Sequence, residues 1–247
     1  MIPNPIRKVL STMAAHQVRA LLIKSQACVF YGAAEFSQDI DLAILAETQN
    51  LQRLKSALDE LQAEPVYVPA LTLSALERGH AAHFRCRHAE ANGLRVDIMS
   101  KMRGVAPFAE LWERRTAVKD SAGFVYEMLS LRDLVQAKKT QRDKDWPMLR
   151  RLLEADYAAA QGNPNEEQVR FWLRELRTPE LLVELARHWP GLCVTLASQR
   201  PLLSLVAKGS ASELATALEQ EERGERDRDR LYWQPLKAEL EKLRHSR

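Results

Sequence analysis

The segment that most constrains the fold is residues 37–45, SQDIDLAIL, an apolar stretch with two acidic residues near its start. Alternate residues of a β-strand face the same side, so a strand here points the side chains of Asp39 and Asp41 together. Two adjacent carboxylates repel each other unless a cation lies between them. Mg²⁺ prefers hard oxygen ligands and often brings substrate phosphates with it. The segment therefore predicts a strand that binds Mg²⁺, whereas a solvated turn is the common alternative for an isolated Asp-x-Asp.

The segments on either side place this motif in a longer pattern. Residues 18–23, VRALLI, are typical of a buried strand, and they lead through the turn KSQA into a short apolar helix before Gly32. Further along, residues 94–99, LRVDIM, alternate as a second strand that carries Asp97. The predicted order is a strand, a small-residue turn, a short helix, the Asp-x-Asp strand and a later strand with a third acid.

This order resembles the nucleotidyltransferase superfamily, the group with the DNA polymerase β-like palm. It is most similar to the bacterial branch of abortive-infection and toxin-type enzymes. That branch has a strand, Gly-Gly or Gly-Ser, a short helix, a Gly, and a Ser or Thr two residues before the Asp-x-Asp. The matching positions in this chain are Ser25, Ala27, Gly32, Ser37, Asp39 and Asp41. Asp97 is similar to the third carboxylate of that family.

A later motif of the family, a helical Lys followed by Arg-x-Lys-Asp, is similar to Lys138 and residues 142–145, RDKD. The resemblance covers residues 1–155, and two positions depart from it. Lys24 stands where the family has its first Gly, a residue that lets the backbone approach a phosphate or adopt an unusual φ. Glu35 adds a negative charge near the proposed metal site.

The resemblance implies metal-dependent transfer of a nucleotide. Asp39, Asp41 and Asp97 would hold two Mg²⁺ ions, which stabilise the attacking and leaving oxygens of an in-line displacement at the α-phosphate of a nucleotide triphosphate. Pyrophosphate would leave, and a nucleoside monophosphate would remain on the acceptor hydroxyl. The residues that would bind the nucleotide are Lys24, Ser25, Ser37 and Lys138.

Structural roles remain open for several of these residues. Asp97 is also compatible with an ordinary edge-strand acid, Ser25 with a helix N-cap, and Lys138 with a solvated helix position. For residues 142–145 a structural role is favoured over a catalytic one, with Asp145 as the cap of the following helix.

The hairpin predicted from residues 83–88 and 94–99 supplies further basic side chains. It turns around Ala91-Asn92-Gly93 and places Phe84 and Cys86 on one face. The basic residues of the other face either line a substrate groove or, as is more common, face solvent; they are His83, Arg85 and Arg87.

The composition limits the class of protein. A length of 247 residues suits one large domain or two small ones, and a net charge of +3 permits nucleic-acid contact without requiring it. No apolar run reaches about 18 residues, and residues 1–8 lack a secretory h-region, so we expect a cytoplasmic protein without a membrane span. The three cysteines are scattered among apolar residues and predict reduced core thiols rather than a zinc site or a disulfide framework.

The pattern becomes helical after Gly123, and residues 162–165, GNPN, are the best linker candidate. We therefore predict an α/β (α+β) fold. A nucleotidyltransferase domain at residues 1–160, with a small mixed sheet flanked by helices, would be followed by an all-helical domain at residues 165–247.

The expected function is Mg²⁺-dependent transfer of a nucleoside monophosphate to an acceptor hydroxyl. By resemblance the acceptor is tRNA or a protein, the enzyme is a toxin or phage-defence component, and an antitoxin would be its partner. Transfer to a small molecule, as in antibiotic-modifying relatives, is one alternative. The other is a non-catalytic nucleotidyltransferase-like module that binds a partner or a nucleotide, which Lys24 and Glu35 favour.

Overall fold

The computed structural model describes residues 4–34, 39–206 and 211–245. Its centre is a mixed sheet of seven strands flanked by helices, and every regular element described after the last strand is a helix. This arrangement confirms the predicted α/β fold class.

The strands are short and follow the order β3-β4-β5-β2-β1-β7-β6 across the sheet. The pairs β2–β5 and β1–β7 are parallel, and the other neighbours are antiparallel. Their bounds are β1 Ala20–Leu22, β2 Asp39–Ile44, β3 Glu64–Pro65, β4 Ala82–Arg85, β5 Arg95–Met99, β6 Thr116–Lys119 and β7 Val125–Met128.

The helices precede, separate and follow these strands, with a 3₁₀ turn at Ala89–Ala91. Their bounds are α1 Asn4–Ala15, α2 Lys24–Phe30, α3 Thr48–Glu60, α4 Leu73–Arg78, α5 Phe108–Glu113, α6 Leu131–Ala137, α7 Asp145–Ala160, α8 Glu166–Glu175, α9 Pro179–His188, α10 Pro190–Ala197, α11 Leu203–Val206 and α12 Ala211–His245. Among the described residues, no helix is both long and apolar enough to cross a membrane.

The core lies at the central strands, which are buried on both faces. Ile40, Leu42 and Ile44 of β2 are no more than 1% exposed, and Val96 and Ile98 of β5 are fully buried. Buried strands of this kind read as nearly continuous apolar runs. An acidic residue within such a strand is therefore surrounded by apolar side chains and needs a specific partner.

The hairpin between β4 and β5 confirms the predicted pairing. The strands are antiparallel with His83 opposite Asp97, and the 3₁₀ turn connects them. Phe84 and Cys86 are buried, as their shared face predicts. All three cysteines are buried thiols, as the sequence predicts.

The chain forms two compact units. Unit 1 comprises Met1–Phe30, Ala34–Ala137 and Tyr232–Arg247 and contains the whole sheet; unit 2 comprises Tyr31–Ala33 and Lys138–Leu231. The division into domains at residues 1–160 and 165–247 stays a prediction.

Candidate functional site

The three predicted acids come together where β2 and β5 begin. Asp41 and Asp97 are register partners across these parallel strands, and Asp39 is paired with Arg95 two residues earlier. Asp39 and Asp41 lie two residues apart and therefore share a face of β2. Asp39 is exposed, whereas Asp41 and Asp97 are each only 7% exposed. The sheet thus concentrates three carboxylates at one place, two of them largely buried.

The buried carboxylate of Asp41 is held by a lysine. The ammonium of Lys24 lies 2.5 Å from Asp41 Oδ1. Burial raises the pKa of Asp41 above its ordinary value, and the Lys24 ammonium offsets this only in part. The negative charges of Asp97 and Asp39 raise the pKa of Asp41 further.

The backbone explains why Lys24 reaches this carboxylate. The N–H of Ile23 donates to the carbonyl of Asp41 at 3.0 Å, so β1 continues along β2 as far as this acid. The chain then turns into α2 at Lys24, whose φ is +54°. A non-glycine residue in this left-handed region costs about 1–2 kcal/mol. Lys24 thus adopts a φ that glycine takes more easily, at the position where the resembled family has its first Gly.

The other buried carboxylate, Asp97, is held by two basic residues. Arg95 Nε donates to Asp97 Oδ1 at 2.7 Å, and His83 Nδ1 lies 2.8 Å from the same oxygen. Donation by His83 needs a proton on Nδ1, so the 3.2 Å approach of Arg95 Nη2 to that nitrogen is a contact rather than a second hydrogen bond. Burial alone would raise the pKa of Asp97, but the hydrogen bonds from His83 and Arg95 lower it below its ordinary value.

An exposed aromatic ring adjoins this pair. Tyr67 is 50% exposed; its ring meets the His83 ring edge-on at a centroid distance of 5.7 Å, and the Arg95 guanidinium lies 5.8 Å from its centroid. The sequence pattern does not single out Arg95 or Tyr67, and for His83 it allows both a substrate groove and a solvated face. The usable signal was the hairpin register, which places His83 opposite Asp97. Arg85 and Arg87 are exposed, so the solvated alternative applies to them.

The remaining predicted residues have separate surroundings. Ser25 is the second residue of α2 and is half-buried, while Ser37 and Glu35 lie outside the described residues. Lys138 is not helical, because α6 ends at Ala137.

Lys138 takes part in a buried network in unit 2. It is 4% exposed and donates to Asp145 Oδ1 at 2.9 Å, while the hydroxyl of Thr140 donates to Asp145 Oδ2 at 2.6 Å. Burial would raise the pKa of Asp145, but these partners lower it. Asp145 is the first residue of α7, so this carboxylate anchors the start of that helix as a structural group. A role for Lys138 at a phosphate stays a prediction.

The carboxylates fit Mg²⁺ by donor type, since hard oxygens are its preferred ligands. Within the three described ranges, however, no group of three or more His, Cys, Asp or Glu side chains is arranged as a metal site. Basic side chains contact Oδ1 of both Asp41 and Asp97 in this arrangement. The donor set therefore fits a divalent ion on condition that Lys24 moves away from Asp41.

The sequence matches no protein-family model and no curated protein sequence.

Proposed function

We propose that the protein is a Mg²⁺-dependent nucleotidyltransferase that transfers a nucleoside monophosphate from a nucleotide triphosphate to an acceptor hydroxyl. One observation carries this proposal: Asp41 and Asp97 are register partners on adjacent parallel strands, and Asp39 shares the face of Asp41. A stable core has no need of two buried carboxylates side by side, because each costs desolvation energy unless it is paired. Such costly groups are commonly found at functional sites.

The chain's own residues have distinct roles in this proposal. Asp39, Asp41 and Asp97 would hold the metal ions, which supply positive charge for the phosphoryl oxygens when bound. Arg95 and His83 fix the orientation of the Asp97 carboxylate and keep it ionised. Ser25 and Ser37 would contact the phosphates, as the family resemblance implies. The acceptor proposed from the same resemblance is tRNA or a protein, in a toxin or defence system with an antitoxin partner.

The test is transfer of label from each α-labelled nucleotide triphosphate, with Mg²⁺, into total bacterial RNA and protein. We expect incorporation by the native chain and a loss of at least about 100-fold in the Asp39→Asn, Asp41→Asn double variant, since metal ligands contribute several kcal/mol to transition-state stabilisation. Asp59→Asn, an exposed change on α3, is the matched control and should keep full activity. Equal incorporation by all three chains would contradict the proposal.

A non-catalytic nucleotidyltransferase-like module is the second candidate. The contact between Lys24 and Asp41 favours it, because an ammonium at 2.5 Å occupies a ligand position that catalysis would require for a metal. This candidate predicts no label transfer together with nucleotide binding that is independent of Mg²⁺ in calorimetry. Label that appears only in extracted small molecules would instead identify a small-molecule acceptor.

A further inference from the structure

We propose that Lys24 is a built-in cation that competes with a divalent metal ion for Asp41, so that the charge at position 24 sets the metal affinity of the site. This inference rests on the proposed function for the identity of the site. It goes further by assigning to one residue the control of metal occupancy.

The first argument is the geometry of the pair. The distance of 2.5 Å between Lys24 Nζ and Asp41 Oδ1 is at the short end for a charge-assisted hydrogen bond, and Asp41 is largely buried. A buried carboxylate without a cationic partner is strongly disfavoured. Lys24 therefore supplies the positive charge that a metal ion would otherwise bring to this oxygen.

The second argument is the backbone at Lys24. Its φ of +54° is a conformation that glycine adopts without strain and lysine does not. The chain tolerates this strain in unit 1 while the side chain forms the ion pair with Asp41. A glycine would relieve the strain but would leave the carboxylate without its cation.

The third argument is the local balance of charge. Three carboxylates lie together, and two of them contact basic side chains, Asp41 with Lys24 and Asp97 with Arg95. The Lys24 ammonium offsets one carboxylate charge that would otherwise attract a divalent ion. Removal of the Lys24 charge would make the site more negative by one unit, and it would also clear Asp41 Oδ1.

The experiment measures Mn²⁺ binding to the purified full-length chain, without nucleotide, from the electron paramagnetic resonance signal of the free ion. Lys24→Gln removes the charge, and Lys24→Arg keeps it. We expect the Kd for Mn²⁺ to fall roughly tenfold in Lys24→Gln and to stay near the native value in Lys24→Arg, because a unit charge a few ångströms away strongly opposes a cation. The gain should vanish when Lys24→Gln is combined with Asp41→Asn.

Lys24→Gln leaves a buried carboxylate unpaired and lowers stability, so thermal unfolding supplies a second reading. Mn²⁺ should raise the Tm of Lys24→Gln by more than that of the native chain, since a ligand that binds only the folded state stabilises it. The variant that combines Lys24→Gln with Asp41→Asn should unfold at the same temperature with and without Mn²⁺. A Kd in Lys24→Gln that is equal to or weaker than the native value, or no binding at all, would overturn the inference.

The Mn²⁺ experiment and the label-transfer experiment together distinguish the role of Lys24 from the proposed catalytic function. Tighter Mn²⁺ binding by Lys24→Gln, with no label transfer by either chain, supports the role of Lys24 and refutes catalysis. Label transfer by the native chain, with no gain of Mn²⁺ affinity in Lys24→Gln, supports catalysis and refutes the role of Lys24.

Discussion

Asp41 and Asp97 are register partners of the same residue type, yet their pKa values shift in opposite directions. Burial dominates at Asp41 and raises its pKa, whereas hydrogen bonds from His83 and Arg95 outweigh burial at Asp97 and lower its pKa. The ionised form of Asp41 is thus disfavoured by the fold, and that of Asp97 is favoured. The difference arises from the deeper burial of the Asp41 carboxylate and from the basic partners, which are Lys24 at Asp41 and both His83 and Arg95 at Asp97.

We expect opposite stability changes when each of these acids is neutralised at pH 7. Asp41→Asn should raise the free energy of unfolding by about 0.5–2 kcal/mol, a gain typical of relieving a strained functional site, because the Lys24 side chain is partly exposed and its ammonium can turn to solvent. Asp97→Asn should lower it by about 1–3 kcal/mol, because Arg95 and His83 lose a buried partner. Urea unfolding followed by circular dichroism measures both. Changes of the same sign in the two variants would contradict this account.

The pH dependence of the two variants follows from the signs of the pKa shifts. Because the pKa of Asp41 is higher in the folded than in the unfolded state, its contribution to the free energy of unfolding is favourable below the unfolded-state pKa. That contribution is lost as the pH rises through the folded-state pKa. Because the pKa of Asp97 is lower in the folded than in the unfolded state, its contribution to the free energy of unfolding is favourable above the unfolded-state pKa. That contribution is lost as the pH falls through the folded-state pKa. The differences from the native chain should therefore shrink for both variants when the urea titration is repeated near pH 3. Differences that grow on acidification would show that the pairing is misassigned.

At the scale of elements, one carboxylate ties α3 to α1. Glu60 at the end of α3 accepts from His16 at 2.9 Å, from Lys8 at 3.0 Å and from Thr12 at 3.3 Å. These hydrogen bonds, that from His16 foremost, lower the pKa of Glu60 to about 2. The stabilisation is therefore complete above the ordinary pKa of 4.5 and is lost as pH falls toward 2.

We expect Glu60→Gln to flatten the dependence of unfolding free energy on pH between about 4.5 and 2, because the titrating group is gone. Acid titrations at fixed urea concentration measure this slope. Asp59→Asn on the same helix is the matched control, and it should leave the slope unchanged. An unchanged slope in Glu60→Gln would show that the hydrogen bonds to Glu60 do not stabilise the contact between α1 and α3.

The helix α8 depends on a capping box at its start. The Asn165 side chain accepts from the N–H of Gln168 at 2.9 Å, and the Gln168 side chain accepts from the N–H of Asn165 at 3.0 Å. Asn165→Ala should lower the free energy of unfolding by about 1 kcal/mol, whereas Asn165→Asp keeps an acceptor and should cost little. Thermal unfolding of the two variants distinguishes a lost cap from a general sensitivity of this position.

At the scale of the whole molecule, each compact unit has its own buried polar framework. In unit 2 Arg200 is 5% exposed, donates to the carbonyls of Leu173 and Leu176 at 2.9 Å each, and pairs with Glu221 at 2.9 Å. In unit 1 the corresponding framework is the set of basic partners around Asp97. Units with separate cores commonly unfold as separate cooperative steps.

We therefore expect calorimetry to show two transitions. Arg200→Met should lower the midpoint of one, because two carbonyl groups lose a buried donor and Glu221 keeps only Arg177 as a basic partner, at a cost of about 1–3 kcal/mol. Asp97→Asn should lower the midpoint of the other. A single transition that both variants shift equally would show instead that the chain unfolds as one cooperative unit.

The sequence by itself determined the elements whose signal is local. The alternation at 39–45 predicted β2 with its two acids on one face, and the alternation at 94–99 predicted β5 with Asp97. In α1 the apolar residues Ile6, Val9, Leu10 and Met13 recur at helical spacing, and all four are buried. These predictions succeeded because a strand or an amphipathic helix repeats its contacts every two to four residues, so the pattern is written in consecutive positions.

Only the tertiary structure decided which side chains meet. The pairing of Asp41 with Asp97 depends on β2 and β5 being parallel neighbours, which residues far apart in sequence determine. Lys24 reaches Asp41 across 17 positions, and Lys138, which directly follows the end of α6, binds Asp145. Burial and the register between distant strands determine which charged side chains are in contact, and neither produces a repeating pattern in the sequence. The sequence therefore located the acids, and the fold decided that a lysine holds one of them and an arginine with a histidine holds the other.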